Sequence, residues 1–139
     1  MKTLTTVAVL FFCMHAFAAE DAKPVVDVDV KGLSLTPSRA KLEPIAIPDA
    51  EALEKVFDDE RVRAAILKQV DLKTHTIVYF AWSGSGQDQV LSTMVKGEEK
   101  VEVRFVYRPG RTRDLRAHHR MFAVVKGVKW EMEKNARGQ

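Results

Sequence analysis

Cysteine is almost absent from this sequence of 139 residues, in which Cys13 is the single example. It lies in a stretch typical of a secretory signal peptide: Lys2 supplies a positive charge, residues 4–14 are largely apolar, and residues 16–18 form a small-x-small cleavage pattern. We therefore expect residues 1–18 to be a signal peptide. The exported chain would then contain no cysteine, which excludes a disulfide framework, a thiolate zinc site and a cysteine nucleophile.

Long apolar runs are also missing. The apolar part of the signal is shorter than the roughly 20 residues that a membrane-spanning helix needs. Further along, the longest segment without Asp, Glu, Lys or Arg is residues 74–87. The sequence therefore predicts export to the periplasm or the extracellular space and no transmembrane span. Phe12 stands where a lipid-attachment signal needs a small residue, which disfavours a lipoprotein.

A strong excess of one charge is lacking as well, with 22 basic and 19 acidic residues. So small a difference gives no support to specific nucleic-acid binding. The charges are unevenly distributed, however: residues 19–60 hold 5 basic and 11 acidic side chains, whereas residues 61–139 hold 16 and 8. This asymmetry has two interpretations. The basic part of the chain binds an anionic partner, or the acidic helical segment lies near the basic sheet and offsets its charge.

The chain divides into a short lead-in and one domain. Residues 19–48 contain repeated prolines and predict an extended segment with one edge strand. Asp49 then starts a helical pattern, and the pair Asp58 and Asp59 interrupts it. This pair is placed to cap a second helix, or the two parts form a single bent helix. Strand patterns follow at residues 74–82, 89–95, 100–107, 121–125 and 128–132. We predict an α+β domain over residues 49–133, with one or two N-terminal helices packed on an antiparallel sheet of four to five strands, and a tail at residues 134–139.

The first candidate site is the glycine-serine loop, residues 83–88. Its polar side chains are Ser83, Ser85, Gln87 and Asp88, and its glycines allow sharp turns with exposed N–H groups that bind anions. The alternative is a plain connection between strands. A nucleophile elbow does not fit, because glycines are missing two residues before and two residues after Ser85.

The second candidate site is the arginine segment, residues 108–120, in which Asp114 is the one acid. Guanidinium groups bind carboxylate, phosphate or sulfate with two parallel hydrogen bonds, so Arg111, Arg113 and Arg116 are candidates for recognising an anion. Alternatively, these side chains cover apolar surface or hold Asp114. The segment lacks the interleaved aromatics that bind nucleic-acid bases.

Two adjacent histidines, His118 and His119, would point to opposite faces of a strand. No cysteine or carboxylate stands at ligand-like spacing from them, so we predict no metal site and no cofactor. His118 is retained as a candidate binding residue. A Ser-His-Asp hydrolase can be assembled from Ser85, either histidine, and Asp88 or Asp114, but no surrounding motif supports it.

Two stretches carry a family resemblance: FAWSGSGQD at residues 80–88 and PGRTRDLR at residues 109–116. Residues 78–132 resemble small uncharacterised secreted bacterial proteins that combine such a loop with such a segment. More distantly, the order of strands and turns looks like the C-terminal domain type of a bacterial protease-complex accessory subunit. The resemblance implies a protein-binding module, and no catalytic residue is carried over from it.

These observations together favour a non-enzymatic exported domain. We expect it to bind a protein, a peptide or an anionic component of the cell envelope through the glycine-serine loop and the arginine segment. The alternative is a small secreted hydrolase that uses Ser85 with His118 or His119.

Overall fold

A computed structural model describes residues 23–35 and 42–133 of the chain. The predicted signal peptide, with Cys13, and the predicted C-terminal tail lie outside the described residues. The elements are β1 (Val25–Asp27), β2 (Ile45–Ile47), α1 (Ala50–Val56), α2 (Glu60–Leu67), β3 (His75–Ser85), β4 (Gln89–Lys96), β5 (Val101–Arg108), β6 (Leu115–Val125) and β7 (Lys129–Met132).

Both helices begin at an aspartate, as the sequence predicts. The Asp49 carboxylate accepts a hydrogen bond from the Ala52 N–H at 2.8 Å, and the Asp59 carboxylate accepts one from the Arg61 N–H at 2.8 Å. Each bond satisfies an N–H group that has no partner within its own helix. The chain thus forms two short helices and not one bent helix. Neither of them has the length and apolar composition needed to cross a bilayer.

The longest pairing joins β3 and β6, which run antiparallel in register from His75↔Val125 to Ser85↔Leu115. β1 adds to the outer edge of β6, and β2 adds to the outer edge of β3. These four strands form the first sheet, in the order β1-β6-β3-β2, and all its neighbours are antiparallel. The prediction of an antiparallel sheet is confirmed at this level.

A second sheet holds the remaining strands in the order β4-β5-β7. β4 and β5 are antiparallel, whereas β7 lies parallel to β5. The chain therefore changes sheets three times, between β3 and β4, between β5 and β6, and between β6 and β7.

Successive side chains of a strand point to opposite sides of its sheet. The first sheet therefore has two faces, and both are buried. One face, which includes Ile77 and Met121, packs in a core cluster with Leu53 and Ile66 of the helices. The other face packs against the second sheet, and its ring contacts are Phe80–Phe105, Phe80–Phe122 and Phe105–Phe122, with centroids 4.9–6.0 Å apart. The first sheet is thus the middle layer between the helices and the second sheet.

The predicted α+β class, with one or two N-terminal helices on a single sheet of four to five strands, is wrong. Strands account for 46% of the described residues and helices for 14%, and the strands form two sheets. The physical reason lies in the two apolar faces of β3 and β6. Two short helices cover one of these faces, so the chain covers the other with a second sheet. The strands predicted at residues 121–125 and 128–132 do not pair with each other, and Lys126 and Gly127 form the turn at which the chain leaves the first sheet.

The lead-in takes part in this packing. The sequence pattern placed residues 19–48 outside the domain, yet Val28 and Ile47 are buried in the cluster beneath the helices. The described part of the lead-in also supplies both short edge strands, β1 and β2. Residues 36–41 of the lead-in lie outside the described ranges.

Phe105 of β5 should be a main source of stability, because it is fully buried and its ring contacts Phe80, Phe122 and Trp130. We expect Phe105→Ala to lower the free energy of unfolding by about 3–5 kcal/mol. Met94→Ala on the neighbouring strand is the matched control, since Met94 is 53% exposed, and its cost should be within about 0.5 kcal/mol. Urea unfolding measures both, and equal costs would contradict this account of the core.

Candidate functional site

The glycine-serine loop and the arginine segment meet at one end of the first sheet. β3 continues through Gly84 to Ser85, and β6 already begins at Leu115, so Ser83 pairs with Ala117 and Ser85 with Leu115. Half of the predicted loop is therefore strand, and only residues 86–88 turn. The arginine segment consists of Arg108 at the end of β5, the connection at residues 109–114 and the first half of β6.

Side-chain hydrogen bonds join the two segments. The hydroxyls of Ser85 and Thr112 are 2.7 Å apart, and the Thr112 N–H donates to the Ser85 hydroxyl at 3.1 Å. The Gly86 N–H donates to the Asp114 carboxylate at 3.2 Å. A hydrogen bond from the Thr112 side chain, together with that from Gly86, holds the pKa of Asp114 at about 2. The connection is thereby held on the end of β3.

Asp88 is buried, with 7% of its surface exposed, and no other charged side chain among the described residues is buried to this extent. Its carboxylate accepts hydrogen bonds from the Gly110 N–H at 2.7 Å, the Tyr107 hydroxyl at 2.7 Å and the Trp82 indole at 3.3 Å. The three donors lie in the arginine connection, the second sheet and the first sheet, respectively. Asp88 therefore joins three parts of the fold at one carboxylate.

The hydrogen bonds decide the charge state of this carboxylate. Burial by itself raises the pKa of Asp88, but the bonds from Gly110, Tyr107 and Trp82, with the charge of His118, lower it below its ordinary value. Burial and the bond to Asp88 raise the pKa of Tyr107 to about 12. At neutral pH the pair is thus a phenol that donates to a carboxylate.

Two glycines permit this close packing. A Cβ on Gly84 would overlap the Asp88 carboxylate, and one on Gly110 would lie 2.5 Å from the Ser85 hydroxyl and 2.6 Å from the Gln87 Cβ. Neither glycine has a positive φ. We expected the loop glycines to provide conformational freedom, whereas here they provide room for close approach.

The two histidines lie on opposite faces of β6, as the sequence predicts. His118 stacks on Trp82 with ring centroids 4.9 Å apart, and its Nε2 donates to the Ser85 carbonyl at 2.6 Å. His119 faces the helix layer, where its Nδ1 is 2.7 Å from the Tyr79 hydroxyl. Burial and the neighbouring charge of His118 lower the pKa of His119.

The contacts of Ser85 do not form a hydrolytic triad. His118 contacts the backbone carbonyl of Ser85 and not its hydroxyl, which is bonded to Thr112 instead. The Asp88 carboxylate is bonded to Trp82, Tyr107 and Gly110 and not to a histidine. A general base within hydrogen-bond reach of the nucleophile is the first requirement of such a mechanism.

The arginines differ in their surroundings. Arg116 pairs with Asp114, and Arg120 of β6 pairs with Asp27 of β1 at 2.8 Å. Arg111 and Arg113 are exposed, and neither forms an ion pair within the described part of the chain. Beside them lies Leu115, which is 79% exposed.

A polar cleft of about 260 Å³ opens beside this end of β6. Its walls come from β3, β4 and β6 and include Trp82, Asp88, His118 and Arg120. A larger cavity of about 660 Å³ lies between α1 and the end of α2 and contains no residue of either candidate segment. Across the described ranges, no three His, Cys, Asp or Glu side chains are arranged to hold a metal ion.

The predicted site residues do not all meet. Ser85, Asp88 and His118 lie at the junction, whereas Gln87 is exposed on the turn and Ser83 is exposed on β3. Sequence reasoning missed the partners Trp82, Tyr107, Thr112 and Arg120. Tyr107 carried a usable signal: it ends a strictly alternating strand just before Pro109, and a buried tyrosine hydroxyl needs an acceptor.

Comparison with known proteins finds no family model, no curated protein and no solved structure that matches this chain. The resemblance to small secreted bacterial proteins therefore stays a prediction. Function has to be argued from the geometry of this junction.

The packing of Gly84 against Asp88 gives a direct test. We expect Gly84→Ala to cost about 1–3 kcal/mol of unfolding free energy, because the added methyl group overlaps the carboxylate. In an Asp88→Ala background the same change should cost less, since the carboxylate is gone. Denaturant unfolding of the two single variants and the double variant measures the difference. Equal costs in both backgrounds would show that the carboxylate does not exclude the methyl group.

The raised pKa of Tyr107 predicts a pH dependence. The protonated phenol contributes stability that is complete below pH 10, the ordinary pKa, and is lost as the pH rises through about 12. Absorbance at 295 nm should show a tyrosine transition near pH 12 that is missing in Tyr107→Phe. Asp88→Asn should lower that pKa, because a neutral amide no longer holds the proton by charge. A transition unchanged in Asp88→Asn would overturn this assignment.

Proposed function

We propose that this chain is an exported, non-enzymatic binding module that recognises an acidic protein or peptide through its arginine segment. Export follows from the signal-peptide pattern of residues 1–18. Protein binding is also what the resemblance of residues 78–132 implies. The proposal depends mainly on the structural junction of the two candidate segments.

The observation that carries the proposal is the set of hydrogen bonds that hold the connection bearing Arg111 and Arg113. The connection that bears them is bonded to β3 through Ser85 and Gly86, and to Asp88 through Gly110. Ordering a loop before binding reduces the entropy that binding costs. Exposed guanidinium groups on an ordered connection are suited to carboxylate recognition.

The balance of charge supports an acidic partner. Five arginines lie at residues 108–120, and among the described residues the carboxylates of Asp27, Asp88 and Asp114 contact this region. Asp88 is already bonded within the fold, and the Arg116–Asp114 pair is partly exposed to water. Exposed ion pairs contribute little stability, so an incoming carboxylate can share the guanidinium groups at small cost.

Leu115 favours a protein over a simple polyanion. It is the most exposed of the large apolar side chains among the described residues, and it stands between Arg113 and Arg116. Polysaccharide or phosphate polyanions offer little apolar surface for such a side chain. Protein interfaces combine exposed apolar side chains with arginines, as this segment does.

Pull-down from a cell-envelope extract tests the proposal. We expect Arg111→Ala with Arg113→Ala to reduce the recovery of specific protein partners at least about tenfold, the equivalent of 1.4 kcal/mol. Arg61→Ala with Lys68→Ala is the matched control, because it removes the same charge from α2 and its C-terminal cap and should leave recovery unchanged. Equal recovery with both double variants would refute a role for the arginine segment.

Leu115→Ser separates a protein partner from a polyanion. We expect it to weaken partner binding while retention on a dextran sulfate column stays the same. Leu67→Ser, at a position 47% exposed on α2, is the control for apolar loss elsewhere. Loss of column retention without loss of partner binding would favour the polyanion instead.

A further inference from the structure

The outer edge of β6 is covered over only part of its length. β3 pairs with β6 on one side from Leu115 to Val125. On the other side β1 pairs with residues 122–124, and single bonds at either end join the Val28 N–H to the Met121 carbonyl and the Val125 N–H to the Pro24 carbonyl. Within the described ranges no strand pairs with the outer edge of residues 115–120. An uncovered strand edge is a template for pairing with another chain.

The hydrogen-bond pattern shows which backbone groups face this edge. The Val28 N–H donates to the Met121 carbonyl, and the Val125 N–H donates to the Pro24 carbonyl, both at 3.0 Å. In an antiparallel strand the backbone groups of alternate residues point to the same side. The odd-numbered residues of β6 therefore point toward the β1 side. Further along the strand these are Ala117 and His119, whose N–H and C=O groups face the uncovered edge.

The side chains along this edge form two different rows. Phe122 lies in the core between the sheets, so the even-numbered residues Arg116, His118 and Arg120 share that face. Met121 lies in the core beneath the helices, so Leu115, Ala117 and His119 share the other. One row is basic, and the other is apolar or uncharged at neutral pH. An added strand would meet these two rows with its own alternating side chains.

β1 itself shows how a carboxylate on a neighbouring strand meets the basic row. Asp27 stands opposite Phe122, and its carboxylate binds the Arg120 guanidinium at 2.8 Å. Beyond Asp27 the chain leaves this edge, because both the N–H and the C=O of Asp29 are bonded to the Gln69 side chain. The polar cleft of about 260 Å³ opens beside Arg120 and His118, where the next acidic side chain of an added strand would enter.

We propose that an extended peptide with alternating acidic and apolar side chains adds to β6 as a new edge strand along residues 115–120. Its backbone pairs with Ala117 and His119, its acidic side chains face Arg116, His118 and Arg120, and its apolar side chains face Leu115. This inference rests on the proposed function and specifies how the acidic partner binds. Strand addition of this kind combines backbone hydrogen bonds for affinity with alternating side-chain contacts for specificity.

Charge favours a separate partner over the chain segments nearest in sequence. Residues 36–41 and 134–139 each contain two basic residues and no acidic one. They would therefore place like charges against the basic row. Sedimentation velocity distinguishes a second copy of the chain, the alternative occupant, from a separate peptide.

The probe is a labelled, end-capped peptide of alternating valine and glutamate, seven residues long, studied by fluorescence anisotropy. Ala117→Pro removes an N–H group that faces the uncovered edge and leaves pairing with β3 intact, whereas Ala117→Ser keeps that N–H. We expect Ala117→Pro to weaken binding about tenfold, the equivalent of one lost hydrogen bond. Binding to the Ala117→Ser variant should remain within about twofold of wild type, well under the tenfold step.

Two further probes use the wild-type protein, so that the result does not depend on how a proline variant folds. The same peptide N-methylated at every residue should not bind, and the unmodified peptide should slow amide hydrogen exchange at Ala117 and His119. A peptide with lysine in place of glutamate should bind more weakly. Unchanged binding of the N-methylated peptide would overturn strand addition.

The outcomes separate this inference from the proposed function. If Arg111→Ala with Arg113→Ala abolishes binding but Ala117→Pro does not, strand addition is wrong and recognition by the arginine segment stands. Sedimentation velocity without peptide tests the other occupant. A dimer that is lost in Ala117→Pro and unaffected by the peptide would assign the edge to a second copy and overturn the proposal.

Discussion

The pairing of β3 with β6 is the constraint on which the rest of this structure depends. Both strands carry apolar side chains on both faces, as Tyr79 and Phe80 of β3 and Met121 and Phe122 of β6 illustrate, so neither face of the pair can be left in water. Burying each face contributes roughly 25 cal/mol per Å² of apolar area. The two helices cover one face, and the second sheet covers the other. The three-layer arrangement and the three changes of sheet follow from this requirement.

The pair extends further than the strands that flank it, and its protruding end is where the polar groups gather. β1 and β2 each contribute three residues, whereas β3 and β6 pair over eleven. At the protruding end, hydrogen bonds to Asp88 join the parts of the fold. The Asp88 carboxylate accepts them from both sheets and from the connection. A buried carboxylate is tolerated only when its acceptor positions are filled. The junction is therefore rigid, which makes it a suitable base for recognition.

This arrangement places two kinds of binding determinant side by side. The connection presents Arg111, Arg113 and Leu115 to solvent, and the adjoining edge of β6 presents backbone groups beside a basic row. A partner that uses both would combine guanidinium-carboxylate bonds with strand pairing. The hydrolase alternative loses support, because the hydroxyl of Ser85 is bonded to Thr112 and helps to hold the connection in place. The same serine thus has a structural role at the junction.

How much could be predicted differs between local and long-range features. The alternation of residues 100–107 and the helical pattern after Asp49 depend on near neighbours, so the sequence by itself determined the helical region and most strand positions. It left open whether that region is two helices or one bent helix. It also identified the two segments that meet, but not Tyr107 or Thr112, which lie 19 and 27 residues from their partners. Only the tertiary structure decided that the strands divide between two sheets and that one edge of β6 stays uncovered. The reason is that strand partners are chosen by which apolar faces must be covered together, and a strand's own sequence does not specify its partner.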